Sequence, residues 1–373
     1  MFKILTCALL MHGDLGLNTR HYSSGTEGKY NSFSSRNLMM ELPEGRGGGK
    51  GEPGVPPINA LFNHWTCIGI KNNIDFSKPY KINVGELPLV VWQNRKTKDF
   101  TTTLNICKHL GSRLDNGDIT YNGCLKCKYH GLEYTNNDNF GETVEYQGKI
   151  FWAFNPSDPL PHSIPFHDDS NYAKSYIEID MEASLIDSAL NTMDLRHPEY
   201  VHGGMFGFGS SKPPLNIKQY KSADGVGLEF DYQSKLTSRV LNGYAPSTKN
   251  IHMFTYPTFT WSKVSFIDKS LVIAVNFLPL GIKKTRWYVT ICHNYLQSPL
   301  GKEFMKSLSY TILNQDFIQM KNQYIDNPLK KEVLLNHVFS NEDAILWLYE
   351  MFQEYKYPDT QDCVELYKTD KDI

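Results

Sequence analysis

Hydrophobic and polar positions alternate over short distances in one part of the chain. From Trp65 onward, short β-prone runs are separated by turn residues. These runs are Tyr80 to Val84, Pro88 to Trp92, Phe100 to Leu104 and Lys149 to Phe154. Such runs predict a small antiparallel β domain, which we expect to span residues 58–160. The stretch from Pro156 to Pro165 contains four prolines and shows little periodicity, so it predicts the end of that domain.

A different pattern follows these prolines. The predicted elements are a strand from Tyr176 to Met181, a helix around Leu185 to Arg196, four or five strands between 226 and 296, and helices near 300–325 and 341–355. A sheet with helices before and after it predicts an α+β domain over residues 161–373.

The first 57 residues show neither pattern. A short apolar stretch from Ile4 to Met11 is followed by sequence rich in Ser, Asn and Gly. This composition predicts a leader and a flexible linker over residues 1–57. The run from Arg20 to Ser24 resembles the cleavage site of a mitochondrial targeting peptide, which makes residues 1–24 a candidate transit peptide. The alternatives are a plastid targeting peptide and a disordered tail without a targeting function.

The charges of the chain nearly cancel. There are 38 Lys and Arg residues and 40 Asp and Glu residues, for a formal net charge of −2. Such a chain has no broad field to gather nucleic acid or anionic lipid, and we expect neither partner. No apolar run approaches the ~18 residues of a membrane-spanning helix, which argues against integral membrane insertion. The composition, with 40% hydrophobic residues, predicts a soluble globular protein.

Two short motifs combine cysteine with histidine. One residue separates Cys107 from His109, and two residues separate Cys127 from His130. A [2Fe–2S] cluster that is bound by two thiolates on one iron and two imidazoles on the other needs this set of ligands. Zinc is the alternative, because Cys124 and Cys127 form a C-x2-C pair of the kind found in zinc sites.

A second group of polar residues lies between Asn191 and His202. Asn191, Asp194 and His197 are spaced by three, so on a helix they would share one face. Pro198 is expected to end that helix at about His197, and His202 would return from the following turn. Two imidazoles in this arrangement can supply the histidines of a two-His-one-carboxylate site for non-haem Fe(II). Ordinary surface histidines at a polar helix end are the alternative.

The stretch from Cys107 to Gly131 resembles the Rieske iron–sulfur motif in its oxygenase variety. Respiratory Rieske subunits have two further cysteines that form a disulfide, and here Ser112 and Tyr129 stand in those places. The later spacing D-x2-H-x4-H, from Asp194 to His202, is similar to the catalytic-iron motif of Rieske non-haem iron oxygenases. The chain therefore resembles this family.

The resemblance implies a Rieske [2Fe–2S] antiparallel β domain followed by a helix-grip (START-like) catalytic domain with an antiparallel sheet and flanking helices. It also implies a carboxylate ligand on a downstream helix. In the predicted helix after Pro299, Asp316 lies on the apolar stripe that faces the core. A buried carboxylate is costly unless a partner such as a metal ion compensates it, which favours Asp316 as the third ligand. Asp343 is the competitor, although it also suits the acidic first turn of a helix.

The role of each site residue also follows from the resemblance. The implied ligands are Cys107, His109, Cys127 and His130 for the cluster, and His197, His202 and Asp316 for the Fe(II). In relatives, a trimer places each cluster beside the iron of the neighbouring subunit. Asp194 would then bridge His197 to a cluster histidine of that subunit, and Asn191 would orient water or O2 beside the iron.

The implied function is that of an oxygenase, nearest the homotrimeric monooxygenase branch that includes pheophorbide a oxygenase and ketosteroid hydroxylase. Electrons would come from a separate reductase or ferredoxin, because the sequence has no G-x-G-x-x-G turn that leads into a helix. We expect an apolar substrate in a pocket lined by aromatic residues of the sheet, for which core packing is the alternative. These residues are Phe254, Tyr256, Phe259, Trp261 and Phe277. A Rieske electron carrier without oxygenase activity is the alternative function, and it would leave the second motif unexplained.

Overall fold

The computed structural model describes residues 60–202, 214–233, 247–323, 330, 333, 342–353 and 355–372. The predicted leader and linker, residues 1–57, lie outside the described residues. The strands are β1 (Thr66–Ile70), β2 (Tyr80–Val84), β3 (Leu87–Gln93), β4 (Phe100–Leu104), β5 (Asp118–Ile119), β6 (Leu125–Lys126), β7 (Glu133–Tyr134), β8 (Glu142–Tyr146), β9 (Lys149–Ala153), β10 (Ala173–Met181), β11 (Leu215–Lys221), β12 (Gly225–Gln233), β13 (Ser247–Thr255), β14 (Phe259–Phe266), β15 (Lys269–Gly281) and β16 (Lys284–His293). The α-helices are α1 (Ala60–Asn63), α2 (Leu185–Met193), α3 (His197–Tyr200), α4 (Pro299–Lys321), α5 (Asp343–Met351) and α6 (Thr360–Asp372). In this described part, no helix combines the length and the apolar character that crossing a membrane requires.

The first part of the fold is the predicted β domain. It contains three small antiparallel sheets with the strand orders β1-β9-β8, β2-β3-β4 and β5-β6-β7. The first two sheets enclose a core in which Leu61, Val84 and Trp152 are fully buried. Each large apolar side chain buried in this way stabilises the fold by roughly 1.5–3 kcal/mol.

A separate hydrophobic cluster supports the third sheet. Trp92 of β3 packs there with Leu114 and Leu125, and its Nε1 donates a hydrogen bond to the Gly123 carbonyl oxygen at 3.2 Å. Cys107 and Cys127 belong to the same cluster and are almost fully buried. The loops that contain the two cysteines are therefore anchored to β3.

The second part of the fold is a seven-stranded antiparallel sheet in the order β10-β16-β15-β14-β13-β12-β11. Directly paired residues point to the same side of a sheet, so the register defines its two faces. One row across five strands consists of Leu228, His252, Ser262, Ile273 and Ile291. Helices α2, α4 and α5 pack on the face that contains this row, which we call the helix face. The predicted α+β fold is confirmed.

The opposite face of this sheet contacts the β domain. Leu278 and Tyr288 point to that side and belong to the buried core of the first two small sheets. Phe259 and Trp261 also lie on this face, where they pack with Ile164. The prediction that Phe259 and Trp261 line one pocket together with Phe254 and Phe277 is wrong, because the sheet is covered on both faces and buries aromatic residues on each.

The helix predicted around Leu185 to Arg196 ends earlier. Helix α2 ends at Met193, Asp194 is extended, and the separate short helix α3 begins at His197. Pro198 lies in the first turn of α3. A proline is well tolerated there, because the first N–H groups of a helix have no partner within it. Pro198 therefore starts a helix instead of ending one.

The turn between α2 and α3 is held by a carboxylate. Asp194 Oδ1 accepts hydrogen bonds from the N–H groups of Arg196 at 2.8 Å and His197 at 3.2 Å. The Tyr232 hydroxyl donates to the Leu195 carbonyl oxygen in the same turn. The prediction that Asn191, Asp194 and His197 share one face of a single helix is wrong, since the helix is interrupted between them.

The C-terminal helix returns to the β domain. Leu366 of α6 is buried in the core of the first two small sheets. Before this helix, the Pro358 carbonyl oxygen accepts the Glu86 N–H at 3.1 Å. Gly85, at φ +61°, lies against Pro358 so closely that a Cβ atom would approach within 2.6 Å of it. The segment from Pro358 to Leu366 therefore packs on the β domain, although in the chain it follows the helices of the large sheet.

Candidate metal centres

The two loops with the Cys and His pairs are built alike. In each loop, the cysteine N–H donates to the carbonyl oxygen five residues ahead at 2.8 Å, and the cysteine carbonyl accepts the N–H of the glycine four residues ahead at 2.9 Å. These glycines, Gly111 and Gly131, have φ angles of +72° and +77°, a conformation that residues with a Cβ rarely adopt. The repeated pattern presents Cys107 and Cys127 to each other from two loops.

The environment of Cys107 favours the thiolate form. Burial opposes ionisation of this thiol, but hydrogen bonds from the Tyr134 hydroxyl, from the His109 backbone and from Cys127 outweigh burial and lower its pKa. The Tyr134 oxygen also accepts the Lys108 N–H at 2.7 Å, which fixes the position of the hydroxyl. Thiolates are the form in which cysteine binds metal.

The two histidines of these loops are exposed, whereas the two cysteines are buried. His109 Nδ1 and His130 Nδ1 lie 3.2 Å apart. Two metal–nitrogen bonds of about 2.0–2.1 Å at a tetrahedral angle place their nitrogens about 3.3 Å apart. Both Nδ1 atoms can therefore bind the same iron.

The four residues form two pairs and not a single-ion site. Within the described ranges, only one group of three or more His, Cys, Asp or Glu side chains has its ligand atoms within 4.8 Å of one another, and it lies elsewhere. A thiol pair and a separate imidazole pair fit the two irons of a [2Fe–2S] cluster, whereas one zinc ion would need all four ligands together. Cys124, the other candidate zinc ligand, donates its backbone N–H to Thr120 Oγ1 at 3.1 Å and belongs to no such group.

The single-ion group consists of His197, His202 and Asp316. His197 begins α3, His202 follows that helix, and Asp316 belongs to α4. Asp316 Oδ1 lies 3.2 Å from His202 Nε2 and 3.7 Å from His197 Nε2. Asp316 and His202 are only 5% and 3% exposed, so bulk water has little access to these atoms.

Hydrogen bonds orient both imidazoles of this triad. His197 Nδ1 lies 3.0 Å from the Asp194 carbonyl oxygen, and His202 Nδ1 lies 2.9 Å from Gln315 Oε1. Because each partner oxygen can only accept, Nδ1 is the protonated nitrogen in both rings and Nε2 is the nitrogen available to a metal. Burial lowers the pKa of His197, which keeps its ring neutral.

The electrostatics of the triad fit a divalent cation. Asp316 Oδ1 is buried and accepts no hydrogen bond, although it faces the Nε2 atoms of His197 and His202. Burial opposes protonation of His202, but the Asp316 carboxylate and Gln315 outweigh burial and raise the pKa of this ring. A metal ion between the three atoms would accept all three electron pairs and neutralise the buried carboxylate. Two histidines and one carboxylate are the ligands of the non-haem Fe(II) triad.

The remaining predicted residues lie around this site or apart from it. Asp343, the competing carboxylate, is exposed at the start of α5, where its Oδ2 accepts a hydrogen bond from Gln219 at 3.1 Å. Asp316 is thus the carboxylate that meets the two histidines. Asn191 is partly buried in the last turn of α2, and its side chain makes no hydrogen bond within the described part of the chain. The Asp194 carboxylate accepts hydrogen bonds from the backbone N–H groups of Arg196 and His197. The rings of His197 and His202 form their hydrogen bonds with the Asp194 carbonyl and with Gln315.

Two residues near the triad were given no role by the sequence reasoning. Gln315 orients His202 from 113 positions away in the chain. His252 donates through Nδ1 to the Thr192 carbonyl oxygen at 3.3 Å, from a strand 60 positions downstream. Spacing along the sequence contains no signal for either contact, because both depend on how α2, α4 and β13 meet in the fold.

Comparisons with known proteins agree with this arrangement. Residues 64–150 match the family model of the Rieske [2Fe-2S] domain. The chain is 28% identical over 89 residues to pheophorbide a oxygenase, chloroplastic, from Oryza sativa subsp. japonica, which covers 23% of this chain and 17% of that protein. It is 24% identical over 266 residues to flavonoid 8-hydroxylase 2, chloroplastic, from Ocimum basilicum, which covers 62% and 50%. The chain thus spans half the length of these curated relatives or less.

A solved structure shows the same fold. Dicamba monooxygenase bound to 3,6-dichlorosalicylic acid aligns with a TM-score of 0.65 at 14% identity, over 84% of this chain and 99% of that chain. A second structure of that protein, with non-heme iron and dicamba, aligns with a TM-score of 0.61 at 15% identity, over 84% and 98%. At this level of identity the likeness establishes the fold alone.

Sequence match and geometry together place a Rieske domain and a separate group of metal-binding side chains in one chain. The chain contains a Rieske [2Fe-2S] domain, whose ligand loops fit a [2Fe–2S] cluster, followed by an α+β part with a His/Asp triad suited to mononuclear iron. Its described part has the fold of dicamba monooxygenase. The resemblance to Rieske oxygenases is thereby confirmed in the iron–sulfur domain and in the fold.

Proposed function

We propose that this chain is a Rieske-type oxygenase, which uses O2 and external electrons to hydroxylate, dealkylate or cleave a largely apolar organic molecule. The proposal rests on one observation. A chain with a Rieske domain also brings together His197, His202 and Asp316 around a buried carboxylate oxygen that accepts no hydrogen bond. An electron carrier needs only the cluster, so the second site favours the oxygenase.

The chain's own residues prepare the second site for metal. His197 and His202 would hold Fe(II) through Nε2, and Asp316 would hold it through its carboxylate. When bound, the ion supplies open coordination positions at which O2 can be activated. The Asp194 carbonyl and Gln315 Oε1 keep the two rings in the binding tautomer, and the burial of His202 and Asp316 limits the access of water.

Reducing electrons would come from a separate reductase or ferredoxin that draws on NAD(P)H. The Rieske domain supports this proposal, because its cluster can accept one electron at a time and pass it on. The cluster histidines would be the point of transfer, since His109 and His130 are exposed to solvent. A test is the reduction of the purified protein by a plant-type ferredoxin with its reductase, followed in the visible spectrum.

We also propose a homotrimer in which the cluster of one subunit lies beside the triad of the next. Leu110 and Tyr129, next to the cluster histidines, are 65% and 63% exposed, and apolar surface of this kind favours contact with another protein surface. Asp194 is partly buried beside His197 and would accept a hydrogen bond from a cluster histidine of the neighbouring subunit.

Replacing Asp194 with asparagine (Asp194→Asn) tests this arrangement. The amide oxygen of the new side chain can still accept the two backbone N–H groups, so we expect the fold and both metal sites to persist. Loss of the charge should lower substrate-dependent O2 uptake by at least about tenfold, as is common when a partner of a ligand histidine is removed. Iron content and O2 uptake are measured on the same preparation. Full activity in D194N contradicts the bridging role.

The proposed activity is tested by O2 uptake. The protein, reconstituted with cluster, Fe(II), ferredoxin and reductase, is supplied with a panel of sterols, tetrapyrroles and methylated aromatics. We expect one class to stimulate O2 uptake and to yield a product that contains oxygen from 18O2. His197→Ala is the control and should abolish the stimulation. If no compound stimulates uptake above the His197→Ala level, the electron-carrier alternative is favoured.

For localisation we propose a plastid. Both curated relatives named above are described as chloroplastic. This favours the plastid over the mitochondrion for the targeting peptide expected within residues 1–24. A fusion of residues 1–57 to a fluorescent protein should enter plastids in a plant cell, and mitochondrial or cytosolic fluorescence contradicts the proposal.

A further inference from the structure

Three partly accessible residues interrupt the buried helix face of the large sheet. His252, Ser262 and Ile273 are neighbours in the middle of the row on the helix face, and all three are partly accessible. Leu228 and Ile291, at the ends of the same row, are buried. Residues at the centre of a covered face would be buried if the helices packed directly on them. Their accessibility therefore indicates a space whose floor contains one imidazole, one hydroxyl and one alkyl side chain.

The C-terminal end of α2 connects this floor to the triad. The last carbonyl groups of a helix have no partners within the helix. The Thr192 carbonyl oxygen accepts from His252 Nδ1 at 3.3 Å, and the Asp194 carbonyl oxygen, two residues later, accepts from His197 Nδ1 at 3.0 Å. The two imidazoles are thus anchored to carbonyl groups that lie two residues apart in the chain. The floor of the space begins beside an iron ligand.

The anchor determines what His252 can bind. Because the Thr192 carbonyl can only accept, Nδ1 is the protonated nitrogen and Nε2 has the lone pair. Burial lowers the pKa of His252 to about 4, so the ring is neutral near pH 7. In the part of the chain that the structure describes, Nε2 has no hydrogen-bond partner, and it is not among the fully enclosed polar atoms. Such a nitrogen accepts a hydrogen bond from a hydroxyl group and repels the lone pairs of a carboxylate.

The packing contacts of His252 do not explain why an imidazole occupies this position. The ring of His252 meets the ring of Phe230 edge to face, with centroids 5.0 Å apart, and a phenylalanine at position 252 could make the same contact. A histidine that only filled the core would have both nitrogens paired, because an unpaired polar atom in the core costs about 1–3 kcal/mol. The open Nε2 is the feature that points to a ligand.

We propose that His252 orients the substrate and that the substrate is an apolar alcohol or phenol whose hydroxyl group donates to His252 Nε2. This inference rests on the proposed function, because it places the substrate on the floor beside the triad. Ile273 contacts the hydrocarbon skeleton, and Ser262 lies between the two as a second polar group. The hydroxyl thereby fixes which carbon of the skeleton faces the His197 side of the space.

Three matched compounds test the proposal on the wild-type protein. The probes are 2-naphthol, its methyl ether 2-methoxynaphthalene, and 2-naphthoate, and binding to the protein loaded with cluster and Fe(II) is measured by isothermal titration calorimetry at pH 7. We expect 2-naphthol to bind about tenfold more tightly than either other compound, since only it donates to a neutral imidazole. Equal affinity for the phenol and the ether, tighter binding of the carboxylate, or no binding of any probe overturns the proposal.

Two variants locate the preference at His252. His252→Gln keeps an acceptor oxygen near the position of Nε2, and we expect it to retain most of the preference for 2-naphthol. His252→Asn keeps an N–H group for Thr192 but has no atom in that position, so it should bind the phenol and the ether equally. A preference that persists unchanged in H252N overturns the proposal. If either variant fails to fold, the wild-type comparison decides by itself.

The outcome is separable from that of the proposed function. If the wild-type protein binds no iron beyond the cluster, the oxygenase proposal fails. If it binds that iron and couples O2 uptake to a substrate but shows no preference for the phenol, only the role of His252 fails.

Discussion

At the scale of single residues, Gln315 orients His202, a proposed ligand of Fe(II). Its Oε1 accepts from His202 Nδ1 at 2.9 Å, which leaves Nε2 directed at Asp316. We predict that Gln315→Leu weakens Fe(II) binding about 10–100-fold, the usual effect of removing such a partner. Gln319→Leu, an exposed change one turn further along α4, is the matched control. Affinity is measured anaerobically by competition with a chelator, and unchanged affinity in Q315L contradicts this role.

Tyr134 contacts Cys107, a proposed ligand of the cluster. Its hydroxyl donates to Cys107 and helps to lower the pKa of that thiol. Hydrogen bonds to cluster sulfur stabilise the reduced, more negative state, so Tyr134→Phe should make the reduction potential more negative. Tyr129→Phe is the control, because Tyr129 is exposed and phenylalanine keeps the contact of its ring with that of His130. Protein-film voltammetry measures both variants. Equal potentials for Y134F and the wild type would refute the contribution.

The sequence indicates some of these residues and not others. Cys107 and His130 could be proposed as ligands because their spacing and the glycines after them fit a loop that binds a metal. Asp316 could be proposed because an acid on an apolar stripe needs compensation. Gln315 and His252 could not, because their partners lie 113 and 60 positions away and meet them only in the folded chain.

At the scale of elements, strands were predicted better than helix ends. The strands from Tyr80 to Val84 and from Phe100 to Leu104 have the predicted bounds, because alternation and turn residues mark both ends. Pro198 was ambiguous, since proline is equally compatible with the end of one helix and the first turn of the next. The Asp194 side chain resolves the ambiguity by bonding the N–H groups that start α3.

The contact between β9 and the large sheet has a predictable pH dependence. Lys149 is buried there, and its Nζ donates to Asn276 at 2.5 Å and Thr290 at 3.0 Å. Burial lowers its pKa to about 8, whereas the unfolded chain holds the proton to about pH 10.5. Between these values the unfolded state binds more protons, so this lysine adds stability as the pH rises from 8 toward 10.5.

Lys149→Met should therefore remove a pH-dependent contribution. We predict that the free energy of unfolding of the wild type rises relative to that of K149M between about pH 8 and 9.5, by at most about 1.4 kcal/mol per pH unit. Both proteins keep the buried thiols of Cys67 and Cys292, whose raised pKa values act in the opposite direction above about pH 9. Urea unfolding at about pH 7, 8.5 and 9.5 measures the difference. Parallel pH profiles contradict the prediction.

At the scale of the whole molecule, the large sheet lies between a layer of helices and the β domain. Its helix face is covered by α2, α4 and α5, of which α4 contains Asp316, and its other face contacts the β domain with the cysteine and histidine loops. The hydrophobic pattern predicted this sheet but not which residues point to which side, as Phe259 and Trp261 show. Alternation with a period of two specifies two faces, and it cannot tell them apart when both are buried.

The central claim is that one chain binds a [2Fe–2S] cluster and, separately, one Fe(II). The most direct test is iron and acid-labile sulfide analysis, with electron paramagnetic resonance of the reduced protein, on the wild type and His197→Ala. The wild type should bind the two irons of the cluster plus one, and show a signal with average g below the free-electron value. His197→Ala should lose one iron and keep both sulfide and signal. Two irons in both proteins, or no such signal, would contradict the account.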